Sequence, residues 1–223
     1  MAWLKRLAAP KWWPIERKTH KFVTVPRGAH PKLESIPLSV IVRDVLKVAD
    51  NAKEAKKIIK SKEVLVDGKA RKDVDYGVGF LDTISIPKMK KSWRIIPGKS
   101  FKLIEVDDPN LKICKIIDKS ILKGEKTQLN LSDGKNIITD KKFSTQDSLL
   151  LQLPEQKILK DLKMEKGALA LVMKGKSAGL VSEINDIDAK NQRVWMNKDK
   201  ENIEVPLKYI IVIGKEKSEI KLK

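Results

Sequence analysis

Cysteine is nearly absent from this chain: Cys114 stands alone among 223 residues. A single thiol forms no internal disulfide, so an intracellular setting is expected, and Cys114 reads as a buried, inert side chain. Histidine is as scarce. His20 and His30 are the only two, and they have no metal-ligand spacing with cysteine. Long apolar runs are also missing, since no stretch approaches the roughly 18–20 residues that span a bilayer. Leu4-Lys5-Arg6-Leu7-Ala8-Ala9 is broken by charge and closed by Pro10, unlike the apolar centre of a signal peptide. No Gly-rich Walker pattern and no H-E-x-x-H is present, and Asp67 and Asp82 read as a turn and a strand boundary. The residues therefore imply no enzyme, no cofactor, no metal, no membrane and no small-molecule substrate.

The shortage that matters most is of negative charge. There are 29 Asp and Glu against 47 Lys and Arg, a net charge of +18. Such a surplus favours a polyanion and costs self-repulsion in the free protein. It is spread along the chain, at +6 over residues 1–36 and +4 over each of 37–90, 91–165 and 166–223. Several segments are thus expected to meet one large anionic partner.

Ala49 to Lys60, followed by Val64-Leu65-Val66-Asp67-Gly68-Lys69, carries the sharpest local pattern. Ala52, Ala55 and Ile59 recur at helical spacing and predict an apolar face. Lys53, Lys56, Lys57 and Lys60 fall on the flanks and the outside. The Val64–Val66 run predicts a strand, and Asp67-Gly68 predicts a tight hairpin turn. A cationic helix beside a strand and turn is suited to a phosphate backbone.

Residues 1–36 hold Pro10, Pro14, Pro26 and Pro31, eight basic residues and two acids. Repeated proline blocks helix and central strand alike, so an extended segment that orders on its partner is expected. Trp3, Trp12 and Trp13 lie here among the cations. Their rings suit stacking on unpaired bases, or equally packing against the next domain. From Ile36-Pro37-Leu38 onward, Val40 to Val48 predicts a first helix, and Leu81 to Ile86 predicts a closing strand. Over 87–165, short β-like runs (Phe101–Val106, Leu111–Ile117, Thr127–Leu131) alternate with Pro97-Gly98, Asp108-Pro109-Asn110, Lys123-Gly124 and Asp133-Gly134, predicting a small sheet or barrel. Leu149–Leu153 reads as a strand ended by Pro154. Gly167–Met173 then leads into Lys174-Gly175-Lys176-Ser177-Ala178-Gly179, a Gly-rich loop between strands that lets phosphate approach backbone amides. An ordinary Gly-rich hairpin is the alternative reading of this segment taken alone. Val194–Met196 and Tyr209–Ile213 supply further strands.

Ala55-Lys56 with Leu65-Val66-Asp67-Gly68-Lys69 resembles the core of the S-four RNA-binding domain. Leu38-Ser39-Val40 stands where that pattern opens with R-L-D, and Leu81 stands where it has Gly before Asp. Lys174–Ile184 resembles the KOW motif of small barrels, with Ser182 where a further Gly is usual. In this order, and with Leu4–Lys11, Ile36-Pro37-Leu38, Val66–Arg71, Phe80–Ile86 and Ile211–Lys215, the chain resembles the small-subunit ribosomal protein S-four-e family of archaea and eukaryotes, archaeal in its length and its Trp13-Pro14-Ile15 run. The resemblance implies an α+β, multi-domain chain of small, mostly β modules. These are an extension (1–36), an S-four-type domain (37–86), a central β-rich domain (87–165) and a KOW-type barrel with a charged tail (166–223). It also implies a cytoplasmic, non-catalytic ribosomal component whose partners are small-subunit ribosomal RNA and neighbouring ribosomal proteins. A free translation-associated RNA binder is the alternative; an RNA-modifying enzyme fits less well, because 87–223 lacks an R-L-D-x-x-T-like motif.

The expected RNA contacts come in three groups. The extension offers Lys5, Arg6, Lys11, Trp12, Trp13, Arg17, Lys18, Lys21, Arg27 and Lys32. The helix–turn–strand unit offers Arg43, Lys53, Lys56, Lys57, Lys60, Lys69, Arg71 and Lys72. The Gly-rich loop offers Lys174, Gly175, Lys176 and Ser177. Recognition of RNA shape is expected to outweigh base reading, because side chains cannot enter the deep A-form major groove.

Overall fold

Residues 4–98, 100–124, 126–198 and 201–222 are described by the computed structural model, and they form a mostly β, α+β chain. Its strands sort into two units. One runs to Ile96 and takes in residues 100–110; the other holds Pro97, Gly98 and the chain from Leu111 onward. No helix among the described residues is long and apolar enough to cross a membrane.

In the first unit, β1 (Leu4–Lys5) pairs antiparallel with β2 (Phe22–Val23), and β3 (Ser35–Pro37) leads into the helical region. That region is less regular than the sequence suggests. A single α-turn, Leu38–Val40, opens into a π-helical stretch, Ile41–Val45, with Leu46 N–H donating to the Ile41 carbonyl. Val40, Ile41 and Val42 are all buried, and three consecutive residues cannot share one face of an ordinary α-helix. The widened turn accommodates them. Helix α1 (Ala52–Lys60) follows, capped by Asn51, whose side-chain oxygen accepts from the Lys53 and Glu54 amides at 3.0 Å.

Beyond the helix, β4 (Leu65–Val66) and β5 (Lys69–Ala70) close over a turn in which Asp67 and Gly68 take φ of 51° and 72°. Positive φ at both central residues gives the tight hairpin that Asp-Gly predicts. A short strand, β6 (Gly77–Gly79), pairs with β3. β7 (Thr83–Ile86), β8 (Lys91–Ile96) and β9 (Lys102–Glu105) extend the hairpin into a five-stranded antiparallel sheet, ordered β5-β4-β7-β8-β9. This sheet carries the first unit past residue 86, where the expected S-four-type module stopped. The core gathers Trp13, Ile36, Leu38, Ile41, Ala55, Ile59, Val66, Ile84 and Ile95. Trp13 is a member, so residues 4–36 are built into this unit and are not the extended, partner-ordered arm the prolines suggested. Trp3 lies outside the described residues.

The second unit contains two antiparallel sheets. The first is ordered β12-β11-β10-β13-β14, from β10 (Leu111–Ile121), β11 (Thr127–Leu131), β12 (Asn136–Thr139), β13 (Ser148–Gln152) and β14 (Lys157–Leu162). Cys114, Ile116, Leu129, Leu131, Leu149 and Leu151 form its core, with the thiol fully buried. The second is ordered β18-β17-β16-β15-β19, from β15 (Leu169–Val172), β16 (Val181–Asp188), β17 (Arg193–Lys198), β18 (Glu201–Pro206) and β19 (Ile210–Gly214). Among the described residues its ladder ends at β18 and β19, so hydrogen bonding does not close the expected barrel. Only the 3₁₀ turn Leu207–Tyr209 separates these two strands. Two polar links tie the sheets together. Ser148 Oγ accepts from the Val212 amide at 3.0 Å, and Lys115 Nζ donates to the Leu207 and Ile210 carbonyls at 2.7 and 2.8 Å.

Candidate nucleic-acid interface

The lysine helix is amphipathic, with one adjustment to its predicted apolar face. Ala55 and Ile59 are buried and Ile58 packs against the same core, whereas Ala52 at the first turn is exposed. Lys53, Lys56, Lys57 and Lys60 are all exposed. Lys69 and Lys72, beyond the hairpin turn, are exposed as well. The turn is braced from within, since buried Asp67 accepts from the Thr83 amide at 3.1 Å. Buried Asp82 likewise accepts from the Gly79 amide at 2.9 Å and lies 2.8 Å from His30 Nε2. Both carboxylates hold backbone in place.

Other cations on the same unit are partly committed to the fold. Arg43 makes a paired contact with Asp44 at 2.7 and 2.8 Å, and this hydrogen bonding raises its pKa despite partial burial. Arg71 lies 4.4 Å over the Tyr76 ring. Arg17 donates to the carbonyls of Ala9 and Pro10 at 2.9 and 2.8 Å, pinning the coil that precedes it. Arg6 is only 6% exposed. Arg27 is exposed and faces Asp75 at 3.8 Å, while Lys5, Lys11, Lys18, Lys21 and Lys32 are exposed.

The two tryptophans expected to stack on bases separate in role. Trp13 is 3% exposed and its indole N–H donates to the Ser35 carbonyl, so it is a core residue and no stacking platform. Trp12 is half-buried, lies parallel to Phe101 with centroids 6.2 Å apart, and contacts Phe80. Its ring already has protein neighbours.

In the second unit the Gly-rich loop joins β15 to β16. Gly175 and Gly179 take φ of 91° and 86°, and a Cβ at Gly179 would lie 2.9 Å from the Pro97 carbonyl, so both glycines are required by the loop. Lys174 and Ser177 are half-buried; Gly175 and Lys176 are exposed. Sequence reasoning missed two residues beside this loop, Lys208 and Tyr209. Lys208 and Lys174 place their ammonium groups 5.1 and 5.8 Å from the Tyr209 ring centroid. Their separation from the loop by three strands hid them, and only the pairing of β15 with β19 brings them there.

Not every cation is available to a partner. Arg94, Lys112 and Lys115 are buried. Lys112 pairs with Asp133 at 3.0 Å. Burial lowers Arg94 to about 10, opposed by Asp67 and Asp108, and lowers Lys115 to about 8. No group of acids, histidines and cysteine suited to a metal ion occurs among the described residues.

These features define a class: a basic chain of small, mostly β modules, with lysines massed on a helix beside a braced hairpin. Residues 89–158 match the Ribosomal family S4e. The chain is 43% identical over 220 residues to the small ribosomal subunit protein eS4 of Methanocella arvoryzae, covering 96% of this chain and 94% of that one. It is 41% identical over 235 residues to the protein of the same name from Methanocaldococcus jannaschii, covering 98% and 96%. The crystal structure of the 30S ribosomal protein S4e from Thermoplasma acidophilum superposes with a TM-score of 0.72 at 28% identity, covering 85% of this chain and 99% of that one. This chain belongs to the ribosomal protein family S4e.

Proposed function

We propose that the chain is a structural protein of the small ribosomal subunit, cytoplasmic and without catalytic activity, that grips ribosomal RNA by distributed contacts to phosphate. The observation that carries this reading is helix α1, which buries Ala55 and Ile59 and leaves Lys53, Lys56, Lys57 and Lys60 in solvent. Four ammonium groups on one short helix repel one another, and a phosphate backbone relieves that repulsion. Lys69 and Lys72 extend the surface, with Lys5, Lys11, Lys18, Lys21, Arg27 and Lys32 as further contacts. Lys174, Gly175, Lys176 and Ser177 form a second surface, to which Lys208 and Tyr209 add a cation-flanked ring. Arg17 and Arg43 act by holding backbone and carboxylate, and Trp13 acts through the core.

Near-complete coverage of relatives named as small-subunit proteins supports the ribosomal setting and, with it, neighbouring ribosomal proteins as partners. The S-four-type and KOW-type character of the modules belongs to the same proposal. The test is co-sedimentation with small subunits through a high-salt cushion, together with binding to transcribed small-subunit ribosomal RNA. Stoichiometric retention and salt-sensitive binding are expected. A chain that stays in the supernatant and binds RNA only transiently would instead be a free RNA binder.

A further inference from the structure

Strand β18 has β17 on one side and, among the described residues, no strand on the other. The Leu207 amide donates to the Gln192 carbonyl, and this bond sets the alternation of bonded and unbonded pairs back along the two strands. Val205 and Ile203 fall on bonded pairs with Val194 and Met196, and Glu204 and Asn202 on unbonded ones. The amides and carbonyls of Asn202 and Glu204 therefore point off the open edge, away from β17. An edge of this kind is a template for one more strand. Other edges are less suited: β5 has two residues and β9 and β12 four each, against six in β18. β14 is as long, but Lys160 on it pairs with Glu219 of the C-terminal segment.

The sheet face beside this edge decides what the added strand carries. Val194, Met196 and Val205 are buried, so the register turns Asp186, Trp195 and Glu204 to the opposite, outward face. Asn185 lies there too, donating from β16 to the side-chain oxygens of Asn197 and Asn202 at 2.6 and 2.8 Å. Strand alternation adds Glu183, Asp188 and Arg193 to the same face. Its four acids thus stand against one arginine, with Lys166 reaching in to Asp186, whereas the whole chain has 47 cations to 29 acids. Glu204, nearest the edge, pairs with Arg193 in solvent. Exposed pairs of this kind contribute little, so an incoming cation can exchange into them. Half-buried Trp195, one strand further in, offers its ring to a long cationic side chain. Phosphate meets repulsion on this face.

We propose that β18 takes up an extended basic segment of another protein as a sixth strand of this sheet. Backbone pairing at Asn202 and Glu204 supplies the attachment, and the acids with Trp195 select cationic side chains. The proposal rests on the ribosomal reading above, which supplies neighbouring proteins, and names the surface and the chemistry that one of them would meet.

The experiment titrates the full chain with the capped peptide Arg-Val-Arg-Val-Arg-Val, following backbone amides by NMR. Saturable shifts along β17 and β18 are expected, with slower hydrogen exchange at Asn202 and Glu204. The peptide with Glu in place of Arg should bind at least tenfold more weakly. So should the Arg peptide with an N-methylated backbone, which cannot pair as a strand. Glu204→Pro removes an N–H on the open side and leaves the ladder to β17 intact, so it should keep the fold and weaken binding at least tenfold. Equal binding of the Arg and Glu peptides, indifference to N-methylation, or no saturable shift at residues 202–206 would overturn the proposal. Protection of these amides by transcribed small-subunit ribosomal RNA would overturn it as well, making the edge an RNA contact. If the peptide fails while replacing the four helix lysines still weakens RNA binding, only the edge is wrong and the RNA reading stands.

Discussion

The Trp13 indole N–H donates to the Ser35 carbonyl at 3.1 Å, across 22 residues of a proline-rich segment. Both partners are buried, and Ile36, next in the chain, is a core residue. The bond fixes the coil to the strand that opens the first unit. Truncating Trp13 to Ala should therefore cost about 3–5 kcal/mol, the range for large aromatic side chains in cores. Deleting residues 1–32 should lower the midpoint of urea unfolding of the first unit as strongly. A truncated protein as stable as the full chain would return this segment to the role of a dangling arm.

Leu81 has φ of 65° and is 1% exposed, at the position where the S-four pattern carries Gly. Left-handed backbone costs roughly 1–2 kcal/mol for a residue with a Cβ, and here the buried side chain offsets it. Leu81→Gly should be less destabilising than Leu81→Ala by up to about 1 kcal/mol, since both lose the apolar contacts and only Gly sheds the strain. The usual order, with Ala the milder substitution, would show that the turn is unstrained.

Lys115 reaches the Leu207 and Ile210 carbonyls from the middle of β10, and burial lowers its pKa from 10.5 to about 8. The unfolded chain then binds more protons than the folded one between about pH 8 and 10.5, so stability contributed by this group rises across that window. Below pH 8 the buried charge costs the folded state about 3 kcal/mol relative to the neutral amine. Against Lys115→Met, which has no such proton, the wild-type protein should gain stability as the pH is raised from 7.5 to 10.5. Urea unfolding of both proteins at several pH values measures the difference. A constant difference would contradict a buried ammonium at this site.

Local chemistry was legible where neighbouring residues decide the outcome. Asp67-Gly68 announces its hairpin, the alternation of Ala55 and Ile59 with lysines announces the helix, and Pro154 announces the end of β13. What the sequence hid depends on distant parts of the chain. Trp13 reads as a stacking ring until Ser35 and the core are seen around it. Proline count suggested an open arm, yet proline is equally at home in packed coil. Lys115 reads like any cation of a basic chain, although its ammonium is spent on two carbonyls more than 90 residues away. Lys208 and Tyr209 join the Gly-rich loop only through strand pairing.

The proposed function requires direct contact between the lysine face of helix α1 and phosphate. Its sharpest test is the salt dependence of binding to small-subunit ribosomal RNA for the wild-type chain and for the variant with Lys53, Lys56, Lys57 and Lys60 replaced by Gln. Lys and Gln have similar helix propensities, so the fold should be kept. At roughly 0.7–0.9 per neutralised phosphate, the slope of log K against log salt should shrink by about 3. An unchanged slope in a folded variant would contradict the claim.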